Sequence, residues 1–310
     1  MLLISVLTRG CQQGLNYKPA MAISIAHSNQ WRQRRGVLLV AGSAVAWSLA
    51  AWFTRTIEAD IWAVQFWRAV WAGLFILTYV HLRGVDGGLP GIARLGRPGW
   101  AVAIVGACAT LCFLAAFRLT AAANVVLMYA TAPFVAAGLA WLLMREAPGR
   151  STLIASVFAL AGAAVMVSGS LTSGNLTGDL LAVGMTLGMA LMTVIIRRHR
   201  ALPMVIAGAF SSWLIIPVAF PMTDVFAVSA RDFWLLVLFG AVQAAGITLM
   251  TEGARLIPSA QVPLIGTLDI PLAALWVWLA FSEVPPELTI LGGGLILAAV
   301  LWHLRRQSDP

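Results

Sequence analysis

Beyond residue 35 the chain is a succession of apolar runs, each about the 17–25 residues needed to cross a bilayer, separated by short polar breaks. The runs fall near 36–53, 62–82, 100–117, 121–143, 151–169, 178–196, 203–221, 232–252, 260–281 and 287–304. With 60% hydrophobic and only 10% charged residues, against about 25% charged in soluble domains, most of the surface has to face lipid. The pattern predicts an all-α integral membrane protein with ten transmembrane helices. The breaks are too short to hold a soluble domain, so any function sits among the helices or in their mouths. A net charge of +8 would suggest nucleic acid in a soluble chain. Here the basic residues are nearly all arginines in short clusters between apolar runs, which is a topology signal and implies no nucleic-acid partner.

The arginines divide by side. With a cytoplasmic N-terminus, the inside holds Arg32, Arg34, Arg35, Arg83, Arg94, Arg97, Arg145, Arg150, Arg197, Arg198, Arg200, Arg255, Arg305 and Arg306. The outside then holds Arg55, Arg118 and Arg231, together with Glu58, Asp60, Asp224, Asp232, Glu283 and Glu287. This positive-inside asymmetry predicts cytoplasmic termini. Residues 1–35 fit no signal peptide and are expected to be a disordered N-terminal extension, with Met1 or Met21 as the start. Residues 305–310 form a C-terminal tail.

The chain also carries one design twice. Arg255 to Pro285 repeats Arg118 to Pro148 at a spacing of 137 residues, matching Arg118/Arg255, Leu119/Leu256, Ala123/Ala260, Trp141/Trp278, Glu146/Glu283 and Pro148/Pro285. The start of each half repeats at a spacing of 142, with Gly36/Gly178, Gly42/Gly184 and Arg55/Arg197. The halves are 36–169 and 178–304. Each has an odd number of spans, so equivalent helices run in opposite directions: the expectation is two five-helix inverted-topology repeats. Such repeats place a substrate site near the bilayer midplane, and one half rocks against the other for alternating access.

The doubled pattern Ala123, Pro133, Trp141, Glu146-Ala147-Pro148 and Ala260, Pro271, Trp278, Glu283-Val284-Pro285 resembles the drug/metabolite transporter superfamily in its bacterial ten-helix, EamA-type form. The resemblance covers the chain after about residue 36. It implies solute export across a bacterial inner membrane, through a cavity between the fourth and ninth helices and their neighbours, the first, third, sixth and eighth. The family commonly has glycine before the glutamate; here Arg145 and Ser282 stand there, and the two prolines are one residue out of register.

Pro133 and Pro271 lie inside spans four and nine as hinge candidates. Each lacks an N–H and displaces the carbonyl four residues earlier, which would free the carbonyls of Tyr129 and Thr267 to accept from an ammonium, unless the prolines are packing kinks alone. Asp269 is a carboxylate near mid-membrane, at a cost of about 2.5–3.5 kcal/mol. It pairs with Arg68, takes a proton, or faces a substrate amine. Arg68 snorkels outward, or meets Asp269 or a substrate carboxylate. Asn124 and Gln261 begin spans four and nine, where capping is the plain alternative to substrate contact. Gln243 lies deeper, and Tyr129 and Trp276 are candidates for stacking on the solute.

Cys108 and Cys112 have no metal spacing, no Walker-type loop is present, and neither metal nor cofactor is implied. The function expected is secondary export of small amphipathic solutes, amino acids or related metabolites foremost. A promiscuous drug or cation exporter is the close variant. A membrane enzyme or non-transporting sensor is the alternative from another class. The partners are the small-molecule substrate and the lipid bilayer; the oligomeric state is left open.

Overall fold

The structure is a computed structural model that describes residues 30–168, 175–282 and 284–308. Most of the expected N-terminal extension, residues 1–29, and Glu283 lie outside the described residues. Among the described residues there is no strand, and ten helices are long and apolar enough to span a membrane. They are α1 (Gln30–Thr56), α2 (Ile61–Arg83), α3 (Gly96–Leu119), α4 (Ala122–Met144), α5 (Arg150–Val167), α6 (Leu176–Arg198), α7 (Met204–Met222), α8 (Ala230–Ala254), α9 (Gln261–Phe281) and α10 (Glu287–Arg306).

Hydropathy located the spans but misplaced some ends. α1 begins at Gln30 and takes in Trp31 to Arg35, because Gln and Arg are good helix formers and Arg35 lies over the Trp31 ring one turn away, 5.6 Å from its centroid. α1 is also broken at Leu49. Ser43 Oγ donates to the Val40 carbonyl and Ser48 Oγ to the Val45 carbonyl, both at 2.7 Å, and such back-bonding loosens the helical ladder just before the break. α7 breaks at Leu214 and Ile215, immediately before Pro217, where the missing N–H cannot continue the ladder.

The helices pack in a pattern that follows the sequence repeat. α3 lies on α7 as α8 lies on α2, while α2 meets α7, α4 meets α9 and α5 meets α10 across the halves. Repeat-related glycines occupy related seats. A Cβ on Gly36 would sit 2.8 Å from the Leu256 Cβ, and one on Gly178 would sit 2.8 Å from the Leu119 carbonyl carbon. On the next turns, Gly42 faces Leu249 and Gly184 faces Cys112. α5 and α10 approach backbone to backbone: a Cβ on Gly162 would come within 2.7 Å of the Gly292 carbonyl oxygen. Small residues that let helix backbones touch in this way are a main source of helix association in lipid, where burial of apolar surface gives little.

α4 and α9 end on Arg145 and Ser282, at φ of 57° and 56°. Their N–H groups return to the carbonyls of the repeat-related Trp141 and Trp278, at 3.0 and 2.9 Å. These are the positions where the sequence departs from glycine, and a side chain in the left-handed region costs roughly 1–2 kcal/mol. Ser282→Gly should therefore raise thermal stability in detergent by about 1 kcal/mol; a variant that melts lower would contradict the strain assigned to this cap.

Candidate functional site

α4 and α9 are each two helices in line. α4 is Ala122–Tyr129 followed by Ala132–Met144, and α9 is Gln261–Gly266 followed by Asp269–Phe281. Pro133 and Pro271 lie in the first turn of the second segments, where a missing N–H is tolerated, so the breaks fall just before them. Thr131 Oγ1 donates to Met128 O at 2.6 Å, and Thr267 Oγ1 donates to Leu264 O at 2.7 Å. Each hydroxyl donates to a carbonyl beside its break, and the Met128 carbonyl also accepts the Thr131 N–H at 3.1 Å. Among the described residues the Tyr129 carbonyl accepts no hydrogen bond. The Thr267 carbonyl, expected to be free, accepts the Ile270 N–H at 3.2 Å. Pro271 sits one residue later in its segment than Pro133 does, and that extra N–H closes a tight turn over the break.

Between the breaks lies a cavity of about 20 Å³, lined from α1, α4, α6, α8 and α9. α3, expected among the lining helices, contributes no residue because α6 stands between it and the centre. Trp47 and Met189 line the cavity at equivalent points of the repeat, as do Tyr129 and Gly266. The Tyr129 hydroxyl rests over Gly266, 3.3 Å from where a Cβ would be. Met192 and Met250 complete an adaptable apolar wall, and Ser43 and Thr193 add hydroxyls. A volume of this size holds about one water and no organic solute.

Asp269 opens the second segment of α9, three residues after the cavity-lining Gly266. Its Oδ1 is buried with no hydrogen-bond partner among the described residues. The repeat places Ala132 at the equivalent point, and Ala132 lines the cavity.

Other candidate residues sit elsewhere. Arg68 is not brought to Asp269: its guanidinium lies over the Phe239 ring of α8, 5.2 Å from the centroid, and Nη2 donates to Gln65 Oε1. Asn124 Nδ2 donates to Asp179 Oδ1 and Thr120 Oγ1, each at 3.2 Å, tying the start of α4 to the start of α6. Trp276 Nε1 donates to Ser48 Oγ at 2.8 Å, where α1 is broken, and is a strut between α9 and α1. Gln243 is half-buried on α8 between Gly240, which seats Trp71, and Gly246, which seats Trp47. Gln261 is buried at the start of α9, and its Oε1 has no partner among the described residues.

A polar network at the arginine-rich end escaped the sequence reading. Arg255 Nη2 meets Asp86 Oδ1 at 2.8 Å and donates to the Leu202 carbonyl at 2.6 Å, while Nη1 meets Glu252 Oε1 at 2.6 Å. Asp86 Oδ2 accepts the Val205 N–H at 2.9 Å, and Arg197 Nη1 donates to the Arg255 carbonyl at 3.0 Å. The network joins the α2–α3 loop, the α6–α7 loop and the ends of α6 and α8. Asp86 was visible as the one acid in the stretch from Arg83 to Arg97, and its backbone stands at φ 58°.

Residues 34–168 match the EamA-like transporter family. No curated protein matches the chain. A solved structure described only as the crystal structure of a protein has the same fold, with a TM-score of 0.76 and 19% identity, over 90% of this chain and 100% of its own.

Proposed function

We propose that this chain, a multi-pass membrane transporter whose residues 34–168 belong to the EamA-like family of the drug/metabolite transporter superfamily, exports small amphipathic amines, amino acids and related metabolites foremost, by alternating access from a bacterial inner membrane. The observation that carries this reading is the buried, unpartnered Asp269 Oδ1 at the break of α9, three residues after the cavity-lining Gly266. An uncompensated carboxylate at mid-membrane depth is costly, and such groups mark ion and substrate paths. A substrate ammonium, or a proton, supplies the missing partner.

The mode of transport follows from the size of the cavity. A space of about 20 Å³ has to widen severalfold to admit an amino acid, and helices broken at the same depth in each half are where such widening costs least. The equivalent seats of Gly36 and Gly178 support rocking of two related halves, with cytoplasmic termini following from the arginine distribution. Trp47 and the methionines Met189, Met192 and Met250 favour loose recognition of the apolar part of the solute. That wall also supports the second reading, a promiscuous exporter of drug-like cations.

A panel of labelled amino acids, sugars and quaternary amines in liposomes containing the purified protein, with and without a pH gradient, separates these readings. Selective flux of amino acids supports the first, and flux of quaternary amines the second. Binding without flux of any solute would overturn both in favour of a sensor.

A further inference from the structure

Four arginines near the end of α4 and the end of α6 surround an open basin apart from the central cavity, and only Arg197 among them also reaches the Arg255 network. Its walls are Leu143, Met144, Arg145, Glu146, Arg197, Arg198 and Arg200. Four guanidinium groups against one carboxylate leave the basin at a formal +3. Glu146 reaches Arg197 at 3.8 Å, and Arg198 spends one N–H on the Leu143 carbonyl at 3.0 Å. The guanidinium groups of Arg145 and Arg200 have neither a hydrogen bond nor an ion pair among the described residues, and Arg32 adds its field to Arg197. Like charges gathered this closely repel, so the basin favours an anion. Arginine forks match the oxygens of a phosphate group in pairs.

The neighbouring surface indicates what carries that phosphate. The last turns of α4 before the basin expose Trp141 at 57%, Leu142 at 67% and Leu143 at 39%. Acyl chains along this apolar wall leave a headgroup level with the arginines. Basic hollows between transmembrane helices at a cytoplasmic face suit such headgroups. We propose that the basin of Arg145, Arg197, Arg198 and Arg200 is a phosphate-binding site occupied by the headgroup of an anionic phospholipid. The proposal rests on the membrane reading of the fold and is independent of which solute is transported.

The test is native mass spectrometry of the full-length protein in detergent, with phosphatidylglycerol or phosphatidylcholine added, and with inorganic phosphate as a competitor. Wild type should retain phosphatidylglycerol in preference to phosphatidylcholine. Each arginine near a membrane surface contributes a factor of about five, so Arg145→Gln/Arg200→Gln should weaken phosphatidylglycerol retention by roughly 25-fold. Glu146→Gln raises the basin's charge and should strengthen retention by about fivefold, a gain that a damaged fold cannot imitate. Equal retention by wild type and both variants would overturn the proposal. Displacement by inorganic phosphate at millimolar concentration would assign the site to free phosphate and overturn the lipid assignment. Failure of transport with every solute tested would leave these retention ratios unchanged.

Discussion

Asp269→Asn is expected to lower the initial rate of amine export by about 100-fold, the scale of losing a buried charged partner, while the protein melts no lower than wild type. The two halves of this expectation have opposite physical origins. Asparagine keeps the shape and one acceptor oxygen but removes the charge that would hold an ammonium or carry a proton. Removing that charge also relieves an insertion cost of about 2.5–3.5 kcal/mol at the helix centre; among the described residues Asp269 Oδ1 has no partner, and Arg68 is committed to Gln65 and Phe239. A structural ion pair would behave in the reverse way, with loss of stability and modest loss of transport. Uptake into proteoliposomes at several pH values, beside a melting curve, separates the cases. Unchanged flux with an unchanged pH dependence would sink the assignment of Asp269 to substrate or proton.

Asp86→Ala should have the largest effect on stability. Asp86 is 4% and Arg255 12% exposed at their side chains, and breaking a buried pair from one side costs about 3–5 kcal/mol because the remaining charge loses its partner. The loss should exceed that of Glu252→Ala, whose carboxylate is 28% exposed. Asp86→Ala also strands the Val205 N–H, so the loop between α6 and α7 should loosen with it. Arg255→Gln added to Asp86→Ala should recover part of the loss, and a double-mutant cycle of melting free energies gives the coupling. A coupling below about 0.5 kcal/mol would mean that the two sites act independently.

The membrane fold was legible because lipid imposes a simple rule on sequence: long apolar runs become helices. The repeat in the sequence, carried further, would have found more. Trp47 and Met189, 142 residues apart, both line the cavity, yet Trp47 read as one tryptophan among thirteen. Which face of a helix turns inward depends on the helices packed against it, and spans that are apolar all round carry no periodic mark of it. For the same reason Trp276 read as a stacking platform, whereas its Nε1 is committed to Ser48. Polar residues near helix ends were harder still. Asn124 bonds to Asp179, whose place beside it depends on α6 packing against α4. The Thr267 carbonyl looked free because Pro271 lacks an N–H, and one extra residue before that proline supplied a donor from Ile270.

The contact between Gly162 and Gly292 also sets the order in which the molecule can be finished. Gly162 belongs to the fifth helix and Gly292 to the tenth, so the α5 face that α10 covers has no protein partner until the last helix has been made. At 5–20 residues per second, the chain between Val167 and Glu287 takes on the order of ten seconds to synthesise. During that interval the Gly162 face of α5 lacks the partner that covers it in the finished fold. The first half therefore leaves the ribosome inserted but incomplete, and the last helix to enter the membrane closes a seam opened by the first five.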